Sequence, residues 1–147
     1  MSNRDSLPLD ITHHVRDTCL CLHVQRAARA LARRFDDALR PLDLTHGQFS
    51  LLTSLNRPAP PTIGSVAELL AMDRTTLTAN LKPLERRGLL KVKVDKEDKR
   101  SRRLVLTAAG RALLVKAFPV WRDTHAAVER RLGAEPDGVR TALRALS

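Results

Sequence analysis

The chain has no tyrosine, and aromatic residues make up only 3% of its 147 positions. Without large rings, the core must be filled by Leu, Val and Ala, and such a composition suits helices better than a β-sandwich. Two cysteines, Cys19 and Cys21, are too few for a disulfide scaffold. No run approaches the roughly 18 apolar residues of a membrane span. The segment Met1 to Asp10 is polar and lacks the apolar stretch of a signal peptide. The expectation is a soluble, cytoplasmic protein with no membrane partner. Also missing are a Gly-rich phosphate loop, G-x-S-x-G, H-E-x-x-H and a paired-cysteine metal motif. A Cys21–His46 dyad would need an open cleft and an orienting third group. The acidic residues are scattered, and several read as helix caps. No catalytic residue, cofactor or metal is therefore expected.

What the sequence does have is positive charge. Lys and Arg number 26 against 16 acidic residues, giving a net charge of +10 and a pI near 10.9. Such an excess attracts polyanions, of which nucleic acid is the commonest. Its distribution sharpens the point. Between Arg74 and Lys116, 13 Lys and Arg stand against 4 Asp and Glu, so nearly the whole excess lies in one stretch.

From about Thr12 to Leu39 there is no Gly or Pro, and apolar residues recur at Val15, Cys19, Leu22, Ala30, Leu31, Phe35 and Leu39. The period predicts one long helix, stopped by Pro41. A second apolar line, Leu20, Val24, Ala27, Ala28 and Ala32, runs beside the first. A helix apolar over so much of its girth needs more than one neighbour, which points to a subunit partner. Thr45, with Gln48 three positions on, forms a capping box for a helix through Phe49, Leu51, Leu52 and Leu55. The Asn56–Pro61 segment breaks that helix, and Thr62 or Ser65 opens a short one. Asp73 caps the next, Arg74 to Arg87, which closes at Gly88. Leu77, Leu81 and Leu84 form its buried stripe, and Pro83 predicts a kink or a tightened final turn. Strand-like runs Leu89 to Val94 and Arg103 to Leu106 flank a charged turn and predict a hairpin. Thr107 caps a helix from about Ala108 to Leu132, bent or interrupted near Pro119. Gly133 to Gly138 reads as a break before a last helix, Val139 to Leu146.

Helix, helix, helix and β-hairpin between Thr45 and Leu106 is the order of a winged helix-turn-helix. Such a domain needs one helix with small and polar residues outward, held from behind by an apolar stripe, to enter a major groove. Projection at about 100° per residue puts Thr75, Thr78, Ala79, Lys82 and Arg86 on the outer face, beside Arg74 and Thr76 at the helix start. Glu85 is the only acid within this helix and projects to the side. Basic surface helices usually intersperse Glu and Asp, so a carboxylate-free face favours nucleic acid over a plain solvated surface. Lys93, Lys96, Lys99, Arg100, Arg102 and Arg103 crowd the hairpin. Alone that is a solvated charged turn; after a recognition helix it reads as a wing touching phosphates and a minor groove.

The run Met72 to Leu90 (MDRTTLTANLKPLERRGLL), followed by Asp98-Lys-Arg100 and Leu106-Thr-Ala-Ala-Gly110, resembles the MarR family of bacterial repressors. The resemblance extends over nearly the whole chain. It implies a mainly α (α+β) fold, a winged helix-turn-helix with long N- and C-terminal dimerisation helices. Its parts would be residues 1–44, an N-terminal dimerisation helix; 45–107, the DNA-binding lobe; and 108–147, C-terminal dimerisation helices, all within one integrated domain. It also implies a homodimer on a palindromic double-stranded DNA operator, with Arg100 as the minor-groove arginine and Asp98 as the carboxylate that orients it. Family members mostly repress, and release DNA on meeting a small aromatic acid, an oxidant or a metal.

Three signals therefore compete. A small aromatic or acidic ligand is the leading reading, because it is the family's commonest; by the resemblance, His46, Phe118 and Trp121 would lie near its site. The second is oxidation. Cys21 stands 24 residues before Thr45, as does the reactive cysteine of the family's organic-hydroperoxide repressors. The tyrosines that support that thiolate are replaced here by Phe35 and His46, and a thiol without such donors reacts slowly. A buried, inert cysteine is the plainer reading of Cys21. Cys19 and Cys21, two apart on one helix, point about 200° away from each other and should not bridge within it. The third signal is a metal: Cys19 and His23 at i, i+4 make half a zinc site, but further ligands are not evident. An architectural DNA- or RNA-binding protein without an effector, and a winged helix used purely for protein contacts, are the remaining alternatives.

Overall fold

A computed structural model describes residues 6–133 and 135–147. The chain divides after Arg34 into two compact units. The first holds α1 (Leu9–Thr18) and most of α2 (Leu20–Leu39). The single helix expected here is broken at Cys19, whose backbone turns extended at φ −66°, ψ 111°. Side-chain bonds flank the break, and the Leu22 N–H at the start of α2 donates to Cys19 Sγ at 3.5 Å. The Thr18 hydroxyl donates to the His14 carbonyl at 2.7 Å, and His23 Nδ1 lies 2.7 Å from the Cys19 carbonyl. Such local side-chain bonds bend or interrupt helices. The geometric reason for holding Cys19 and Cys21 apart thus loses its premise, although both are free thiols. Ile11, Val15, Leu20, Leu22, Val24 and Leu31 are exposed. Among the described residues, Leu39 is the one buried side chain of α1 and α2.

The second unit begins with the end of α2 and a 3₁₀ turn, Arg40–Leu42, in which Pro41 stops the helix. α3 (His46–Ser54) opens on the expected capping box, with the Thr45 and Gln48 side chains each accepting the other's backbone N–H. α4 (Ile63–Leu69) is capped by Thr62, and α5 (Arg74–Arg86) by Asp73. β1 (Leu90–Val94) and β2 (Arg102–Leu106) pair antiparallel, Val92 opposite Leu104. α6 (Ala108–Arg131) follows from the Thr107 cap. It is not interrupted at Pro119: the carbonyl that loses its i+4 donor is that of Val115, an exposed residue where solvent can serve it. α7 (Pro136–Arg144) starts three residues earlier than expected. Glu135 caps it, accepting the N–H groups of Asp137 and Gly138, and Pro136 takes the first-turn position that proline favours.

Leu39, Leu51, Leu52, Val66, Leu77, Leu84, Leu90, Leu104 and Ala117 form the dry centre of this unit, each at 2% exposure or less. Three helices turn into it by the same device. The N–H of Leu44 reaches the Leu39 carbonyl, that of Met72 the Ala67 carbonyl, and that of Leu89 the Leu84 carbonyl. Each bond spans five residues over a left-handed residue, Asp43, Ala71 or Gly88, and each closing pair is apolar, as Schellman ends require.

The start of α6 is seated against the end of α5. Thr107 N–H donates to the Leu89 carbonyl at 3.2 Å, and its hydroxyl donates to the Gly88 carbonyl at 2.7 Å while accepting the Gly110 N–H. A Cβ on Gly110 would stand 2.1 Å from the Leu89 carbonyl oxygen, closer than backbone permits. Gly110→Ala should accordingly destabilise the protein by about 1–3 kcal/mol or more. The check is a lower urea midpoint at unchanged slope; an unmoved midpoint would contradict this packing.

Candidate nucleic-acid interface

The outward face of α5 matches the projection. Arg74, Thr75, Thr76, Thr78, Ala79, Lys82 and Arg86 are all exposed, while Leu77, Leu81 and Leu84 face the core. Asp73 holds the helix start: its carboxylate accepts the Thr76 N–H at 2.7 Å and the Thr76 hydroxyl at 2.8 Å. These bonds, the backbone one first, hold the Asp73 carboxyl below the usual carboxylate range. The Thr76 hydroxyl is therefore engaged in the cap. Arg74 lies across Gly64 of α4, where a Cβ would sit 2.7 Å from its guanidinium. The side-chain carboxylate of Glu85 accepts the Val92 N–H at 3.2 Å. The one acid of α5 is thus spent on tying the helix to β1.

The hairpin carries Lys93, Lys96, Asp98, Lys99, Arg100 and Arg102 exposed. Asp98 accepts the backbone N–H of Arg100 at 3.0 Å, and its carbonyl accepts that of Ser101 at 2.9 Å. Asp98 therefore shapes the tip through the Arg100 backbone, an Asx-type turn. Arg102 bends back to the carbonyls of Lys99 and Ser101 at 3.1 and 3.2 Å. At the base, Asp95 accepts from Glu97 N–H and from Arg103 Nε, each at 3.0 Å. Its carboxyl is held below the ordinary range, chiefly by the Glu97 N–H. β2 has a further neighbour: Arg103 bridges Thr62, and the Leu104 N–H donates to the Pro61 carbonyl at 2.9 Å.

The other singled-out residues lie elsewhere. Cys21 is exposed in the first unit, not buried as the plainer reading had it. His46 is at the start of α3, where Asp36 accepts its backbone N–H at 2.7 Å and lies 2.9 Å from its Nδ1. The backbone bond is the largest cause of a lowered Asp36 pKa. Phe118 and Trp121 stack with centroids 5.9 Å apart, and Trp121 also stacks on Phe49 at 6.2 Å and on His125 at 4.8 Å. A groove of about 430 Å³ opens between Phe49, Thr53, Arg57, Leu70 and Trp121; neither His46 nor Phe118 lines it. Sequence reasoning missed the roles of Asp36, Glu85, Asp95 and Arg103. A lone Glu on a basic helix was the one signal available for any of them.

A carboxylate-free helix face backed by leucines, with a basic two-stranded hairpin bonded to its last turn, defines a winged helix-turn-helix protein. Residues 44–101 match the MarR family. The organic hydroperoxide resistance transcriptional regulator of Bacillus subtilis is 31% identical over 108 residues, 74% of either chain. Among solved structures, the M. tuberculosis transcriptional regulator MosR in complex with DNA is 41% identical at a TM-score of 0.80, covering 88% of this chain and 93% of that one. A mutant MarR from E. coli complexed with operator DNA also gives 0.80, at 25% identity, covering 90% and 96%. The chain belongs to the MarR family and is a DNA-binding transcriptional regulator, not an enzyme. Among the described residues, no helix is long and apolar enough to cross a membrane.

The Asp73 cap makes the recognition helix pH-sensitive in a stated direction. A carboxyl whose folded pKa is depressed stabilises the fold above its unfolded pKa of about 3.9, and that stability is lost as pH falls through the folded value. Asn caps as well as Asp but does not titrate. Asp73→Asn should therefore melt close to wild type at neutral pH and lose less stability on acidification below about pH 4. Parallel melting curves across that range would remove the charge from the cap's role.

Proposed function

We propose that this regulator is a homodimeric repressor that places α5 in the major groove and the β1–β2 wing in the adjacent minor groove of each half of a palindromic operator. One observation carries the reading. α5 presents short and cationic side chains outward, while its only acid is turned to the Val92 N–H and continues the helix into a basic wing. Arg74, Thr75, Thr78 and Ala79 are placed for base edges, and Lys82, Arg86, Lys93, Lys96, Lys99 and Arg102 for phosphates. Arg100, at the tip, is the minor-groove residue. Residues 45–107 act as the DNA-binding lobe, and residues 1–44 and 108–147 supply dimerisation helices. The exposed apolar side chains of α1, α2 and α7, among them Val15, Leu22, Val24 and Leu143, support a second copy as their cover. The regulator works in the cytoplasm. Its inducer is a small aromatic or acidic ligand, for which the Trp121 stack and Arg57 offer a flat apolar wall and a cation.

A second reading has its own support. The B. subtilis relative is named for organic hydroperoxide resistance, and Cys21 is an exposed thiol. In that case cumene hydroperoxide should release DNA from the wild type and not from Cys21→Ser. Equal release from both, or from neither, leaves the ligand reading standing.

The first test is anisotropy of a labelled duplex from the intergenic region beside the gene, against a scrambled duplex, at two salt concentrations. Tight binding of two subunits to the native duplex alone is expected, with a specificity ratio of roughly 10³ or more. Equal, steeply salt-dependent binding to both would instead mark an architectural protein. Arg100→Ala should weaken operator binding by about 1–3 kcal/mol with the dimer intact. Unchanged affinity would sink the wing assignment.

A further inference from the structure

The base of the wing holds a group of contacts that DNA binding as described does not use. The Asp95 side chain is only 11% exposed, although it lies in a hairpin made of cations. One of its oxygens accepts the Glu97 N–H and the other the Arg103 Nε–H, each at 3.0 Å. Arg103 then reaches on, its Nη1 donating to the Pro60 carbonyl at 2.9 Å. Asp95 also closes the turn through its own N–H to the Ser101 carbonyl at 3.1 Å. The planar guanidinium thus has one donor fixed on the hairpin and another on the segment before α4, a geometry that Lys cannot reproduce. The backbone contacts of Arg103 and Leu104 with residues 61 and 62 run alongside it.

We propose that Asp95, Arg103 and the Pro60 carbonyl form a clamp that sets the angle of the wing. Asp95 and Arg103 are then positioning residues for DNA binding through Arg100, not DNA contacts themselves. The inference rests on the wing reading above. A carboxylate near phosphates repels them, so if Asp95 acted only through its charge, removing that charge would tighten binding. The clamp requires the opposite sign.

The test measures operator affinity for the full-length protein and for Asp95→Asn, Arg103→Lys, Arg100→Ala and the Asp95→Asn/Arg100→Ala double variant. Asp95→Asn should bind roughly 5- to 30-fold more weakly although it loses a negative charge. Arg103→Lys should weaken binding in the same range at constant charge. The double variant should bind like Arg100→Ala alone, because a misplaced wing and a missing arginine lose the same contact. Hydroxyl-radical protection should disappear at the minor-groove flanks and persist where α5 docks. If Asp95→Asn melts early, Arg103→Lys carries the test. Affinity unchanged or tighter in Asp95→Asn or in Arg103→Lys, or losses that multiply in the double variant, overturns the clamp. If instead Arg100→Ala binds like wild type, the wing reading itself has failed. A weakened Arg100→Ala beside an unaffected Asp95→Asn sinks the clamp alone.

Discussion

The second unit depends on the two peptide units at Gly88 and Leu89. There α5 ends, β1 begins and α6 docks, and a single pair of carbonyls serves all three. Gly88 takes φ +72°, which lets the Leu89 N–H close the helix on the Leu84 carbonyl. The two carbonyls then point to Thr107, which takes one with its N–H and the other with its hydroxyl. Because the same hydroxyl accepts the Gly110 N–H, the cap of α6 and the exit of α5 are one hydrogen-bonded unit. A change at either glycine therefore moves a recognition helix, a wing and a long helix together. Additivity should fail for mutations within this joint and hold outside it.

The wing itself is two strands, too few to be stable alone. It is held because both of its edges are tied to something larger. On the β1 edge the Val92 N–H, which would otherwise face outward, is taken by Glu85 of α5. On the β2 edge, residues 61 and 62 pair with Leu104 and Arg103. Edge strands left open are liabilities, and here both edges are used for registration. The angle between the hairpin and α5 is thus set by bonds within the fold itself.

Much of this was readable from the sequence because it depends on short-range rules. The capping box at Thr45 and Gln48, the Asp73 cap, the leucine stripe of α5 and the hairpin alternation each need only a few neighbouring residues. The helix end at Gly88 was legible for the same reason, since glycine announces a left-handed residue. The equivalent ends at Asp43 and Ala71 were not, since only tertiary closure forces those residues into φ 54° and 50°. The break at Cys19 was hidden because nothing in the apolar period reveals that Thr18 and His23 side chains take backbone carbonyls there. The start of α7 was missed because Gly138, counted as part of a break, is an amide donor to the Glu135 cap. As for the interface, its outward residues followed from the 100° projection. The bonds of Glu85, Asp95 and Arg103 join positions that only the folded hairpin brings together.

Those bonds also explain how a strongly basic surface contains so many acids. Four carboxylates of the recognition helix and wing, those of Asp73, Glu85, Asp95 and Asp98, each accept a backbone N–H: from Thr76, Val92, Glu97 and Arg100 respectively. In a solvated charged face, acids pair with neighbouring Lys and Arg and cancel them. Here their lone pairs are turned toward the main chain, where they cap a helix, tie a strand and shape a turn. The cations are left outward, and among the described residues of α5 and the hairpin Arg103 is the one paired with a carboxylate of the hairpin. Structural work and charge are thereby separated. The acids set where the backbone goes, and the lysines and arginines set what it attracts. Replacing one of the four by a residue that cannot accept the same bonds raises the net charge yet loosens the frame that aims it. For such a substitution, net charge alone is the wrong guide to DNA affinity.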